Sequence, residues 1–276
     1  VLLIPRGNRK TTLAAALSLL HTIGPERVDN GEAILAAADR KQASIAFKEA
    51  TGIVHESPRI TAATKVYDAH NSAKKIVHPK SQAYLEIISG DAGTQHGRTP
   101  HFVLADELHV WPNRYLWEAL TTGLDKVDNP LLVVATTAGR GQDSAAYEII
   151  EDARKVARGE VVDPTILPVL LESAKDVDWR DEAAWHRANP GLAHGYPSIA
   201  GFRRHAARAE RSMAERQSFL QLKLNVWSDT STSPFVDMAL YDAPANLTPF
   251  AAADFAKGQP GQAPAWIAAD MSTTTD

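Results

Sequence analysis

The sequence predicts an α/β fold in which a mostly parallel sheet carries helices on both faces. Short apolar segments alternate with longer amphipathic segments through residues 1–172. The apolar segments are nearly continuous, which is typical of strands buried on both faces of a parallel sheet. This alternation requires crossover helices that cover the sheet. Hydrophobic residues make up 44% of the 276 positions, so the chain can bury a substantial core.

The elements follow from these segments in chain order. The predicted strands cover residues 1–4, 33–38, 84–88, 102–105, 131–135 and 166–171. The predicted helices between them cover residues 11–21, 42–54, 114–124 and 145–157. Beyond residue 172 the pattern becomes helical, and we expect helices over 178–188, 198–211 and 214–224. The first of these three should end at Asn189, because the residue before a proline is pushed out of the α region.

Composition excludes several classes of protein. Lys and Arg number 29 against 33 Asp and Glu, so no global basic field exists and any nucleic-acid contact needs a local patch or a region outside the chain. The absence of cysteine excludes disulfide scaffolds, Cys-ligated zinc and thiol nucleophiles, and fits a reducing cytoplasm. The chain starts without Met inside an apolar run, so we expect it to be a segment of a longer protein.

The first motif is Pro-Arg-Gly-Asn-Arg-Lys-Thr-Thr at residues 5–12, which we call the phosphate loop. It lies between a predicted strand and a predicted helix. There, backbone N–H groups face an anion, lysine reaches the β- and γ-phosphates and a hydroxyl holds Mg²⁺. The pattern G-x-x-x-x-G-K-[ST] is poorly met, because Ile4 and Arg9 occupy its two glycine positions. On its own the stretch fits an ordinary basic helix N-terminus equally well.

The second motif is a buried strand that ends in Asp106 and Glu107. In P-loop ATPases such a pair follows a strand; the Asp holds Mg²⁺ and the Glu polarises the attacking water. A strand that simply ends in acidic turn residues is the alternative. The strand, Lys-Thr and helix upstream favour the nucleotide site.

The third motif is a strand that ends in Thr136, Thr137 and Gly139. Ligands of open parallel sheets bind at the carboxyl ends of the strands. The two threonines are therefore candidates to sense a γ-phosphate and relay its loss. Their spacing fits β-branched residues that merely finish a strand equally well.

In this order the motifs resemble those of the large terminase subunit of tailed bacteriophages, an ATPase-nuclease motor that packages DNA. The resemblance covers nearly the whole chain, and residues 5–11 look like the family's P-R-x-N-G-K-[ST] loop, which often lacks the first glycine. The other matching segments are residues 38–43, 97–98 with 104–109, 136–139, 185–190 and 219–227.

The resemblance implies a P-loop NTPase of the ASCE type, with an ATPase core at residues 1–172 and a helical subdomain at 173–228 that closes it. A linker at 229–264, rich in Ser, Thr, Ala, Pro and Gly, and the first strand of an RNase H-like nuclease domain at 265–276 would follow. The implied cofactors are ATP and Mg²⁺. The implied partners are double-stranded DNA, the portal protein, the small terminase subunit and further copies of the chain in a ring, in the cytoplasm of the infected bacterium and transiently at the procapsid portal.

The resemblance also implies residue roles. Lys10 would bind the β- and γ-phosphates, Thr11 and Asp106 would hold Mg²⁺, and Glu107 would be the catalytic carboxylate. Thr136 and Thr137 would form the coupling motif. The implied nucleotide-binding residues are Arg6, Gly7, Asn8, Arg9, Lys10, Thr11 and Thr12, with Arg6 near the γ-phosphate as a further catalytic group.

Two more residues receive roles in the same way. Arg98 is the candidate arginine finger for a neighbouring subunit. Asp270 resembles the first metal-binding aspartate of the nuclease domain, and Asp276 belongs to the same segment. Nucleases of this kind need several carboxylates for two metals, so we expect no DNA cleavage by this chain.

One departure from the family pattern is Arg9, where the family has the glycine that lets the backbone approach the phosphates. We therefore predict a weakened ATPase.

Two alternatives remain at this stage. Residues 106–109 read Asp-Glu-Leu-His, the DExH box of helicases, but a helicase should continue into a second RecA-like domain with an arginine motif. The other alternative is a degenerate phosphate loop that binds nucleotide or DNA without turnover. Mg²⁺-dependent ATP hydrolysis that is lost in Glu107→Ala would distinguish an enzyme from an inert binder.

Overall fold

The computed structural model describes residues 1–69, 74–90 and 97–228. Residues 229–276, with the predicted linker, Asp270 and Asp276, lie outside the described part. The strands are β1 Leu2–Leu3, β2 Glu32–Ala37, β3 Lys65–Tyr67, β4 Lys75–His78, β5 Ala83–Ser89, β6 Phe102–Asp106, β7 Leu131–Thr136 and β8 Val169–Leu170. The helices are α1 Lys10–Thr22, α2 Arg40–Glu56, α3 Pro58–Ala63, α4 Tyr115–Leu124, α5 Ala145–Ala157, α6 Glu182–Ala188, α7 Ile199–Ala209 and α8 Met213–Leu224.

The strands form one sheet in the order β3-β4-β5-β2-β6-β7-β1-β8. All pairs from β5 to β8 in this order are parallel, and β3 and β4 extend the β5 edge as an antiparallel hairpin. The α/β prediction with a mostly parallel sheet is therefore confirmed. The register pairs Leu3 with Thr136 and Asp106 with Ala135, so the carboxyl ends of β1, β6 and β7 lie side by side.

Helices cover both faces of the sheet. Successive side chains of a strand point to opposite faces, and those of β2 and β6 are buried on both. On one face, Leu35 and Leu104 pack with Phe47 of α2 and Leu19 of α1. On the other face, Ile34 and Val103 pack with Leu116 and Leu120 of α4. The core is thus two apolar layers that hold the strand ends in fixed positions.

The helical segment after the sheet has a separate aromatic core. Trp185, Phe202 and Phe219 contact one another at ring-centroid distances of 5.6–5.9 Å, in tilted or edge-to-face geometry. Among the described residues, no helix is long and apolar enough to cross a bilayer.

The elements differ from the predictions in three places. The strand predicted at 166–171 is shorter and covers only Val169–Leu170. The helix predicted from residue 178 begins at Glu182, because the Asp181 carboxylate accepts a hydrogen bond from the Ala183 N–H at 2.8 Å and acts as its N-cap. Helix α3 and the β3–β4 hairpin were not predicted. Neither α3 nor β3 buries a side chain, and β4 buries only alternate residues, so no continuous apolar run marks them.

Candidate nucleotide-binding site

Lys10 lies at the centre of the site, at the first turn of α1. Its ammonium donates hydrogen bonds to the Ile4 carbonyl at 2.9 Å and to Thr137 Oγ1 at 2.6 Å. It also lies 3.6 Å from Glu107 Oε1. Burial lowers the pKa of Lys10, and the charges of Glu107 and Asp106 oppose that shift. One buried lysine thus connects the ends of β1, β6 and β7.

Glu107 follows β6 in a left-handed conformation, with φ 49° and ψ 49°. Its N–H donates to the Ala135 carbonyl of β7 at 2.7 Å, which fixes the turn. Glu107 Oε2 lies 3.3 Å from His109 Nδ1 and accepts a hydrogen bond from Thr137 Oγ1 at 3.4 Å. Burial raises the pKa of this carboxyl, but His109 and Lys10 outweigh it and the pKa lies below its ordinary value. Glu107 is therefore ionised at neutral pH.

His109 was not assigned a role from the sequence. Its Nδ1 lies 3.1 Å from Thr136 Oγ1, and its backbone N–H donates to the same oxygen at 3.1 Å. The histidine therefore links Glu107 to the end of β7. The ring follows the left-handed turn at Glu107, and the sequence does not show that turn.

Asp106 is 3% exposed, and burial together with the charge of Glu107 raises its pKa to about 6. Asp106 Oδ1 is buried and accepts no hydrogen bond from any described residue. Orphaned buried carboxylate oxygens are uncommon in native proteins. A hard cation such as Mg²⁺ prefers such oxygen ligands. The environment of Asp106 therefore fits a bound Mg²⁺.

The phosphate loop contains a left-handed residue where the family pattern has glycine. Arg9 has φ 55° and ψ 34°, a conformation that costs a side-chain-bearing residue roughly 1–2 kcal/mol. Its guanidinium lies 4.6 Å from the ring centroid of Tyr196. Gly7, with φ 102°, is the other left-handed position of the loop.

The two threonines after Lys10 differ in environment. Thr11 is half-buried at the start of α1. Thr12 Oγ1 donates to Glu49 Oε2 on α2 at 2.9 Å, so this side chain is engaged away from Lys10.

The helical segment covers the phosphate loop. The Arg6 N–H donates to the Leu222 carbonyl at 2.9 Å. Asn8 Nδ2 donates to Asn189 Oδ1 at 2.7 Å, and Asn189 Nδ2 donates to the Lys223 carbonyl at 2.7 Å. The loop is thus hydrogen-bonded to two parts of the segment that the sequence placed in a closing subdomain.

The loop after β7 is held by the same helical segment. The Ala138 N–H donates to Asn225 Oδ1 at 3.0 Å, and Asn225 Nδ2 donates to the Leu171 carbonyl at 2.9 Å. Gln221 Nε2 donates to the Ala138 carbonyl at 3.0 Å. Both amide side chains are buried. The motif at residues 219–227 contains them, but its spacing gave no indication of their partners.

Comparison with known proteins identifies the family. The family model of the terminase large subunit ATPase domain matches residues 1–155. The chain is also 30% identical over 244 residues to the large terminase subunit of Enterobacteria phage HK97. The chain belongs to the terminase large subunit ATPase family. The resemblance predicted from the motifs is confirmed, and neither the helicase nor the inert binder is favoured.

The matches to the terminase relatives cover most of this chain but only part of the relatives' length. The HK97 alignment covers 88% of this chain and 46% of the phage protein. The crystal structure of the HK97 large terminase superposes with a TM-score of 0.74 at 28% identity, over 87% of this chain and 49% of that one. Protein YmfN of Escherichia coli K12 is 22% identical over 143 residues, which is 50% of this chain and 30% of YmfN. The chain spans less than half of the length of these curated relatives.

Two of the predicted terminase residues are not part of this site. Arg98 lies away from it, and Asp270 lies outside the described residues. Arg98 lies before the amino-terminal end of β6, whereas Asp106 lies at its carboxyl end. The Arg98 guanidinium donates to Glu86 Oε2 at 3.0 Å and to a Glu32 carboxylate oxygen. Its role as a finger stays a prediction. Asp270 lies outside the described residues, so the start of the nuclease domain also stays a prediction.

Proposed function

We propose that the chain is the ATP-hydrolysing motor domain of a phage large terminase subunit, and that it drives translocation of double-stranded DNA into a procapsid. The observation that carries this proposal is the convergence of Lys10, Asp106, Glu107 and Thr137 at three neighbouring strand ends. Membership of the terminase ATPase family supports it.

Substrate binding follows from the phosphate loop. The N–H groups at the start of α1 and the Lys10 ammonium would bind the β- and γ-phosphates of ATP. Thr11 and Asp106 would hold Mg²⁺, which supplies charge neutralisation across the phosphate oxygens. The unpaired Oδ1 of Asp106 is the ligand atom that supports this assignment.

Hydrolysis needs a base and a water molecule in line with the γ-phosphorus. Glu107 would accept a proton from that water while the water oxygen forms the new bond to phosphorus. The bond from phosphorus to the β–γ bridging oxygen breaks, and ADP and phosphate are the products. In the structure, Glu107 is paired with Lys10. The triphosphate would compete for Lys10 and leave Glu107 free to orient water.

Coupling would run through the loop after β7. Thr137 contacts both Lys10 and Glu107, whereas Thr136 contacts His109. The next residue, Ala138, is hydrogen-bonded to Gln221 and Asn225. A change at the γ-phosphate would therefore reach the helical subdomain through two consecutive residues, Thr137 and Ala138.

The remaining assignments come from the family resemblance. We propose double-stranded DNA, the portal protein and the small terminase subunit as partners, and a ring of copies in which Arg98 acts on a neighbouring site. The setting would be the cytoplasm of the infected host and, transiently, the procapsid portal. No basic field of the chain as a whole attracts DNA, because its net charge is −4. DNA contact would depend on local patches and on the assembled ring.

Phosphate release from ATP tests the enzymatic proposal. The chain should hydrolyse ATP in Mg²⁺, and EDTA or Lys10→Ala should abolish the reaction. In the full-length protein, Lys10→Ala should stop DNA packaging into procapsids in vitro. ATP turnover that persists in Lys10→Ala or in EDTA would contradict the proposal.

A further inference from the structure

Lys223, in the last turn of α8, lies beside the phosphate loop. Its Nζ is 3.9 Å from the position that a Cβ on Gly7 would occupy. The preceding residue, Leu222, accepts the hydrogen bond from the Arg6 N–H. The end of α8 is therefore fixed against the loop, and Pro197 and Lys223 both lie beside Gly7.

The Lys223 ammonium has no ion-pair partner among the described carboxylates, although the residue is half-buried. Its Nζ lies 5.1 Å from the ring centroid of Phe202. Burial lowers the pKa of Lys223, and the charge of Arg6 lowers it further. Arg6 and Lys223 line the same cavity, and two neighbouring cations are unfavourable unless an anion binds near them.

A cavity of about 290 Å³ opens between the phosphate loop and α8. Its polar lining includes Arg6, His205, Glu215, Ser218 and Lys223. Burial lowers the pKa of His205, and the charges of Lys223 and Arg208 lower it further. Glu215 is the one acidic residue of this lining among the described positions, and it forms no ion pair with Lys223. Two cations, Arg6 and Lys223, thus face one carboxylate in this lining, and His205 favours its neutral form.

Arg6 connects this cavity with the nucleotide site. Arg6 and Gly7 of the phosphate loop line the cavity together with Lys223, and the loop leads into Lys10 at the start of α1. The charge of Arg6 also lowers the pKa of both lysines. Three cations from two parts of the fold are arranged around the phosphate loop. A polyphosphate bound at Lys10 is the anion whose outer end this arrangement fits.

We propose that Lys223 binds the terminal phosphate of the bound nucleoside triphosphate, from the side of Gly7 and next to Arg6. The inference rests on the proposed ATP site. It gives α8 two connections to the nucleotide, because Gln221 of the same helix holds the loop after β7. Loss of the terminal phosphate would then release the end of α8 directly.

The test compares triphosphate and diphosphate binding. Lys223→Met removes the charge and keeps an unbranched apolar chain against Phe202. We expect it to weaken binding of a non-hydrolysable ATP analogue with Mg²⁺ by about 10- to 100-fold, as for other hydrogen bonds to charged groups. ADP affinity should change by less than about twofold, because ADP lacks the contacted phosphate. Lys223→Arg should retain most of the triphosphate affinity.

Two controls separate this role from others. Arg208→Gln removes an exposed positive charge from α7 and should leave both affinities unchanged. The nucleotide-free Lys223→Met protein should melt at or above the temperature of the parent, since repulsion from Arg6 is removed. A lower melting temperature with equal losses for ADP and the analogue would indicate a structural lysine and overturn the inference. Unchanged analogue binding would overturn it too, whereas a parent that binds no nucleotide would overturn the ATP site itself.

Discussion

The Nζ of Lys10 lies 3.6 Å from Oε1 of Glu107, so the phosphate-loop lysine and the strand-end glutamate form an ion pair. The lysine is 6% exposed, and solvent screens such a pair less than a surface pair. Nucleotide binding would replace this pair with contacts between Lys10 and phosphate. The contact with Lys10 also restrains the position of the Glu107 carboxylate.

The first prediction concerns this ion pair. Lys10→Met should destabilise the nucleotide-free chain by about 2–4 kcal/mol, because it removes the buried cation beside Glu107 and the shorter of the two hydrogen bonds to the Ile4 carbonyl. Urea unfolding measures the change. The double variant Lys10→Met/Glu107→Gln should lose less than the sum of the two single variants. Strict additivity would show that the pair contributes nothing to folding.

The second prediction concerns Asp106 and pH. Its pKa of about 6 lies above the ordinary 3.8, so the folded state holds this proton more tightly than the unfolded chain. This group's contribution to stability is thus greatest below about pH 4 and is lost as pH rises through 6.

Asp106→Asn should therefore stabilise the metal-free chain at pH 8, by as much as about 3 kcal/mol, and by progressively less towards pH 4. Thermal melts in EDTA across this range provide the measurement. A variant that is less stable than the parent at pH 8 would refute the burial argument.

The central strands of the sheet were predictable, because β2, β6 and most of β5 are buried and therefore appear as apolar runs. The placement of Asp106 and Lys10 then follows from the rule that parallel strands end at the same edge. The contact between Asn8 and Asn189 was not predictable, since 181 positions separate them and only the docked helical segment brings them together. The hairpin of β3 and β4 was missed because β3 lies at the sheet edge with exposed side chains.

The third prediction concerns Arg9. Arg9→Gly should raise ATP turnover, because glycine adopts the left-handed conformation freely and lets the backbone approach the phosphates. Folding stability should change by less than about 1 kcal/mol, since relief of strain offsets the lost contact with Tyr196. Tyr196→Leu, which removes the ring alone, is the matched control. If the turnover of Arg9→Gly is no higher than that of the parent, Arg9 does not weaken the ATPase.

The fourth prediction separates two roles of Arg98. Its half-buried pairs with Glu32 and Glu86 mean that Arg98→Ala should lower the free energy of unfolding by about 2–3 kcal/mol. If the residue also acts as a finger in trans, Arg98→Ala should be inactive alone and regain ATPase activity when mixed with Glu107→Gln. In the mixture, the second variant supplies Arg98 to intact sites of the first. No recovery in mixtures that form rings would contradict the finger role.

The most direct test is ATP hydrolysis by Glu107→Gln beside the parent, with ATP affinity measured on both proteins. Glutamine keeps the size of the side chain and removes the base, so turnover should fall by at least about 100-fold while ATP still binds. That result would establish Glu107 as the catalytic carboxylate of an ATPase. Turnover within a few-fold of the parent, at unchanged affinity, would contradict the assignment of the active site.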